Sequence, residues 1–438
     1  MASRRFLPNI LVVLVIAAIT ALAYTFLKDM DGPGVTITPE TGFVSPHSVL
    51  QVVCEDPSGI KEIRVGIRKN NTFMPFFDKS YDVMEATRME NIPMADAKLA
   101  PGAFELEIRA VDGSMAGLGS GNTTTKLIPM RMDNTPPKVT IKTQPGSIYR
   151  GGSGSIAYTI DKDVNETGIL IGNYFVPAVR QADGTYVVIY PFPFTMTVQD
   201  YKNNLFLTAT DVAGNVTKIR FTVMAYEKKF KSDKLTVTDQ FLQNVQSKMG
   251  HFVPQVTDPL QCYLTINSQV RGANMEFMRS LLKLTAQGKL WSGPFMPMPR
   301  ASARSGYADK RTLIYNNQKV GEVYHLGLDL ASVRNDNIPA ANNGTVIYAG
   351  ELGIYGNVVV LDHGLGVMTL YSHMNEISVT KGQAVTKGTY LGKTGTTGMA
   401  FGDHLHFGVL VGGLEVNPIE WLDPKWLNIL TKRITGQQ

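Results

Sequence analysis

The chain has 438 residues, of which 18% are charged and 44% hydrophobic, with a formal net charge of +5. That length is too great for one core, so several domains are expected. The mild positive balance fits association with an acidic cell wall or lipid surface; without a dense Lys/Arg stripe interleaved with aromatics it gives no case for a nucleic-acid partner.

At the N-terminus, Arg4 and Arg5 precede an apolar run over 10–27 broken only by Thr20 and Thr25. About 18 to 20 such residues can span a hydrocarbon core. The reading is a cytoplasmic stub (1–9) and an uncleaved transmembrane anchor (10–27), with the positive end inside and everything after about Lys28 exported. A cleavable signal peptide ending near Ala21 and Ala23 is the competitor.

Residues 33–135 and 136–227 read as two β domains, with short alternating Val, Ile and Thr runs between Gly, Asn, Asp and Pro turns. Val35-Thr-Ile-Thr38 recurs as Val139-Thr-Ile-Lys142, and the run from Phe104 to Asp112 recurs from Leu205 to Asp211. A period of about 100 residues suits Ig-like sandwiches. Pro136 and Pro137 stiffen the boundary. Such modules space a domain, adhere to a wall or dock envelope proteins; no ligand motif separates these from a plain spacer.

Residues 228–290 change character and read as a helical connector. Phe241, Leu242, Val245 and Met249 fit one helical face, with Thr238 or Asp239 as cap and Gly250 as stop. A second run, with Met278, Leu281 and Leu282, ends at Gly288. A helical hairpin here packs on its neighbour or blocks a groove beside it. A Pro-rich stretch over 291–300 leads into the last domain, 291–430. The two cysteines, Cys54 and Cys262, fall in different expected units. Pairing needs Cα atoms within about 7 Å; Cys54 alternates with strand residues and reads as a buried thiol.

The last domain holds the chemistry. Of seven histidines, His325, His373, His404 and His406 fall in one stretch with Asp329. His, Asp and a close His pair suit a catalytic zinc site, with three protein ligands and a fourth position for water. Alternation along a strand points His404 and His406 to one surface and Leu405 into the opposite layer. One imidazole of the pair then holds metal while the other reaches its water. Between His325 and Asp329, Gly327 argues for an extended segment that turns at the glycine. His373 is a fifth candidate. His363, before a glycine turn, reads as structural.

Residues from about 290 to 424 resemble the lysostaphin-type (LytM) zinc peptidases. The resemblance rests on His325-Leu-Gly-Leu-Asp329, Tyr371-Ser-His373, Gly395-x-Thr-Gly398, His404-Leu-His-Phe407 and Val416-Asn-Pro418. Gly408 departs from it, since many members carry Glu there. The resemblance implies His325, Asp329 and His406 as ligands of one Zn2+ per chain. It implies His373 and His404 as catalytic histidines: His404 as general base and His373 steadying the transition state, or the two exchanged.

The expectation is a mostly β multidomain protein with an N-terminal transmembrane helix, two Ig-like sandwiches, a helical connector and an antiparallel β LytM-type domain. By resemblance it is a zinc endopeptidase of peptidoglycan stem or cross-bridge peptides, held in a bacterial inner membrane with its bulk outside the cytoplasm. Two rivals stand beside it. One is a non-hydrolytic LytM-type activator or binding protein for other wall hydrolases. The other is a carrier module, suggested by the Val379-to-Gly388 hairpin, which leaves the histidines unexplained.

Overall fold

A computed structural model describes residues 12–20, 24, 29–40, 42–143 and 145–435. The transmembrane anchor expected over 10–27 is corrected: among the described residues no helix is long and apolar enough to cross a membrane. Residues 12–20 are helical. At 1.5 Å per residue they cover about half of a hydrocarbon core. The remainder of that run, apart from Tyr24, lies outside the described residues, as does the stub. The inner-membrane partner inferred from this anchor loses its support with it.

The chain divides into two compact units. The first comprises 1–137 with 162–165 and 210–217, and the second comprises the rest. In the first, Gly34–Thr38, Val49–Glu55 and Thr87–Pro93 form a three-stranded antiparallel sheet. A five-stranded sheet runs Gly42–Val44, Thr123–Met132, Gly102–Asp112, Ile60–Lys69, Thr72–Ser80. Alternation places Leu50, Val52 and Cys54 in one buried cluster with Ile63, Val65, Leu106 and Ile108. The repeated runs end alike. Asp112 and Asp211 are both fully buried. Each accepts a backbone N–H two residues on, from Ser114 and Ala213, at 3.0 Å in both cases. The β-rich character is as expected; an Ig-like class for either region is not supported.

In the second unit, a four-stranded sheet orders Val179–Arg180, Tyr186–Pro191, Ser153–Ile160 and Val139–Ile141. Further on, an eight-stranded antiparallel sheet runs Ser302–Ser305, Leu328–Ala331, Leu405–Val411, Val367–Met374, Asn357–Asp362, Gly344–Glu351, Ala384–Val385, with Leu414–Val416 beside Leu405–Val411. Every residue of Leu405–Val411 and of Val367–Met374 is buried, so both faces of the sheet are covered.

Alternation decides what covers each face. Leu405, Phe407, Val409 and Val411 pack with Trp291, Trp421 and Leu427, and the same cluster takes in Ala157, Val187 and Ile189. Leu410, on the opposite face, packs with Val358, Val360 and Leu370 beneath Leu242, Val245, Met249, Cys262 and Met278. The residues of 228–290 therefore roof the sheet. Their helices follow local rules: Thr238 caps Asp239–Met249 by accepting from Phe241 N–H at 3.2 Å, and Asp258 caps Pro259–Thr265, with proline in its first turn. Ile266–Val270 is a π-helical turn leading into Arg271–Ser280. Ser232–Thr236 pairs in parallel with Lys310–Tyr315, which pairs antiparallel with Gln318–Tyr324. Cys54 and Cys262 are both free and buried, and burial pushes the Cys54 thiol up to about 12.

Candidate metal centre

The sheet register brings the motifs together. Asp329 on Leu328–Ala331 lies opposite His406 on Leu405–Val411, which lies opposite Ser372, next to His373. His404 precedes that strand, held by an isolated bridge to Gly395. Residues 325–327 are irregular chain, with a bend at Gly327, before the strand. Gly327 is required by close approach: a Cβ there would sit 2.6 Å from the Phe407 carbonyl and 2.7 Å from His406 Nε2.

His325, Asp329 and His406 converge. His325 Nε2 lies 2.8 Å from Asp329 Oδ1 and 2.9 Å from His406 Nδ1, and His406 Nδ1 lies 3.0 Å from Asp329 Oδ1. Two imidazole nitrogens and a carboxylate oxygen within one small triangle are a donor set for a tetrahedral metal with an open position. The tautomer of His325 suits this: its Nδ1–H donates to the Gly306 carbonyl at 2.8 Å, leaving the Nε2 lone pair facing Asp329 and His406. These three residues could hold a metal ion.

His373 and His404 stand beside this set, with ring centroids 4.9 Å apart. Each is anchored through Nδ1–H to a carbonyl, His373 to Thr397 at 2.9 Å and His404 to Gly402 at 2.7 Å. Each neutral ring therefore keeps its lone pair on Nε2. His404 Nε2 lies 3.4 Å from Asp329 Oδ1. His373 has φ +63, a conformation that costs a non-glycine residue about 1–3 kcal/mol and persists where the surroundings impose it.

Burial sets the charges. It pushes His406 down to about 4, with His325 and His404 adding to the effect. Burial, then the neighbouring His406 and His404, hold His373 well below its ordinary value. Burial also opposes charging of His404, but its hydrogen bond to Asp329 overrides this and raises it. For Asp329, burial alone would raise the carboxyl; the imidazoles of His325, His404 and His406 ranged around it outweigh burial and hold it far below the usual range. Asp329 is thus the anionic member of the set and His373 and His406 are neutral.

His363 is placed differently. It is fully buried, with Nδ1–H donating to the Asn343 carbonyl at 2.6 Å and Nε2 2.7 Å from the Thr369 hydroxyl. Both nitrogens are occupied and it stands outside the cluster. Gly408 lies against Leu370, 3.3 Å from where a Cβ would be.

The cluster opens into a cavity of about 290 Å³. Sequence reasoning missed the far wall, formed by Phe241, Tyr263, Asn267 and Arg271 of the connector and by Arg311. Lys248 of the connector donates to the Ala400 carbonyl at 2.8 Å, in the loop bearing Thr397 and Gly402. The connector therefore also braces the loop that anchors both accessory histidines.

The sequence profile of Peptidase family M23 matches residues 323–418. The DD-carboxypeptidase/endopeptidase Mpg of Neisseria meningitidis serogroup B is 37% identical over 95 residues, 22% of this chain and 22% of that protein. The peptidoglycan DD-endopeptidase ShyA of Vibrio cholerae serotype O1 is 36% identical over 96 residues, 22% of each. The chain thus spans 22% of the length of these curated relatives. A solved structure of a putative peptidase M23 from Pseudomonas aeruginosa aligns with 63% of this chain and 95% of its own at 19% identity, with a TM-score of 0.37. The sequence match spans His325, Asp329, His373, His404 and His406, and residues 323–418 are a peptidase family M23 domain.

Proposed function

We propose that this protein is a zinc endopeptidase of the bacterial cell envelope, cutting peptide bonds in the stem or cross-bridge of peptidoglycan. The observation carrying this reading is the convergence of His325 Nε2, Asp329 Oδ1 and His406 Nδ1 within 3.0 Å of one another, beside two further histidines with free Nε2 lone pairs. Two imidazoles and one carboxylate match zinc in donor type and number. The endopeptidase activity is taken from the names of the two curated relatives, and the peptidoglycan substrate from that of the Vibrio cholerae enzyme.

His325, Asp329 and His406 would hold the zinc, which when bound supplies Lewis-acid polarisation of a carbonyl and acidifies water. His404 and His373 do the proton work. A neutral ring with its Nε2 lone pair toward the cavity accepts the proton of the attacking water and passes it to the departing amine. A protonated ring donates Nε2–H to the carbonyl oxygen as charge develops there. His373, which burial holds neutral, is assigned as base and His404, whose hold on a proton is raised beside Asp329, as donor, with the carbonyl anchors of both rings permitting the exchange. The domain division at 136, 228 and 291 belongs to the same proposal, with 228–290 as wall and brace of the site.

Digestion of peptidoglycan sacculi by the full chain tests this. New peptide amino termini, read by mass spectrometry, should disappear with a zinc chelator and return with zinc. Intact cross-links with zinc bound would replace the hydrolase by a binding protein or activator on the same fold.

A further inference from the structure

The connector contributes a cation to the cavity. Arg271 begins the helix that leaves the π-helical turn Ile266–Val270, a distortion that recurs at functional sites. It lines the same cavity as His325, Asp329, His404 and His406. Its Nη2 donates to Asn267 Oδ1 at 2.9 Å, and its Nε is buried without a partner among the described residues. Arg311 lines the cavity too, and its Nη2 donates to the Ser305 hydroxyl at 2.6 Å. Among the described residues, neither guanidinium has a carboxylate within ion-pair range. Burial pushes the Arg271 guanidinium down, and the like charge of Arg311 adds to this. Glu415, the acidic group whose field reaches Arg271, lies beyond ion-pair range, and burial raises its carboxyl toward the neutral form.

Two guanidiniums lining one cavity, without a carboxylate in ion-pair range, are costly to hold partly out of water. The arrangement becomes favourable when an anion enters. A guanidinium offers a planar fork of donors that matches a carboxylate better than any neutral group.

We infer that Arg271 and Arg311 form the carboxylate subsite of this cavity, and that the substrate is a peptide presenting a free carboxylate beside the bond to be cut. This deepens the endopeptidase reading and rests on it. It makes the connector a determinant of specificity: a peptide whose carboxylate is amidated, or an uncharged oligoglycine bridge, is the poorer substrate. Arg271 is a binding residue and takes no part in proton transfer.

The experiment uses the full zinc-loaded chain and paired synthetic cross-linked peptides that differ only in a free carboxylate against its carboxamide. The wild type should favour the carboxylate peptide. Arg271→Gln should lower kcat/KM for it by about 10- to 100-fold, the value of a lost charged hydrogen bond, mainly through KM. It should lower cleavage of the carboxamide peptide far less, so that the ratio of the two kcat/KM values falls toward one, and Arg271→Lys should recover part of the preference. Arg311→Gln is the second variant and should reduce the preference in the same sense, should the first fail to fold. Equal cleavage of both peptides by the wild type, or a preference that survives both variants, overturns the proposal.

Binding separates this from failure of the hydrolase reading. If neither peptide is cut, calorimetry of both peptides with the zinc-loaded chain decides. A carboxylate preference that Arg271→Gln abolishes keeps the subsite and discards the hydrolase. No preference discards the subsite.

Discussion

His406 lies on the eight-stranded sheet and His363 just after its strand Asn357–Asp362; both are buried, and burial pushes both down to about 4. They differ in what surrounds their nitrogens. His363 has a carbonyl and a hydroxyl, one for each nitrogen, so the folded chain completes its bonding. His406 Nδ1 faces a carboxylate and a second imidazole, while its Nε2 has no partner. A buried, neutral imidazole is thus not by itself a ligand. Convergence with other donors on a point that lacks its own proton donors makes it one.

The strongest way to break this contrast is His406→Ala. Zinc content by elemental analysis should fall from one per chain to near none, and activity should vanish with it. Full retention of zinc would sink the ligand assignment. Next, His373→Ala and His404→Ala should each keep zinc but lose about 100- to 10,000-fold in kcat, the usual weight of a general acid or base. Zinc loss in either would move that residue into the ligand set.

Gly327→Ala sharpens the contrast without touching a donor. The added Cβ would collide with the His406 ring, so zinc affinity should fall about 10- to 100-fold, as when a ligand loses its supporting contacts; competition with a chromogenic chelator reads this directly. His363→Asn should leave zinc and kcat unaltered and cost about 2 kcal/mol in denaturant unfolding, from its two lost hydrogen bonds. A zinc-depleted His363→Asn protein would erase the distinction.

The smallest effect concerns a buried acid with one partner. Burial pushes Glu420 up to about 7, while its carboxylate accepts the Ser153 backbone N–H at 3.0 Å. The folded state holds the proton more tightly than the unfolded chain. The contribution of Glu420 to stability is therefore complete below about pH 4.3 and lost as pH rises through about 7. Glu420→Gln should raise stability by roughly 1–2 kcal/mol at pH 8, and by nothing at pH 4. Thermal unfolding at both pH values checks the sign.

The metal cluster was legible because its spacing is local: two histidines two apart must share a strand face, and a glycine between His325 and Asp329 marks a turn. The Asp239–Met249 helix was legible from its cap and its apolar face. The Pro259–Thr265 helix was not, since Cys262 and Tyr263 bury without making a stripe. Nor was the pairing of Ser232–Thr236 with Lys310–Tyr315, whose partners lie far apart in sequence. Arg271 carried no signal because an unpaired cation is recognised only by its surroundings. The apolar run near the N-terminus led to an anchor that the described residues do not bear out, since no helix among them is long and apolar enough to cross a membrane.

Modularity in this chain ends at a different place from family likeness. Excising the M23 match at residue 323, or cutting at 290, would strip the roof from Val358, Val360, Leu370 and Leu410. An apolar sheet face laid open to water invites association with other chains. Cutting at 228 would still remove Ala157, Val187 and Ile189 from the buried cluster they share with Trp421. The smallest transplantable piece is therefore much larger than its recognisable motif, and grafting this site elsewhere means carrying residues from about 138 onward.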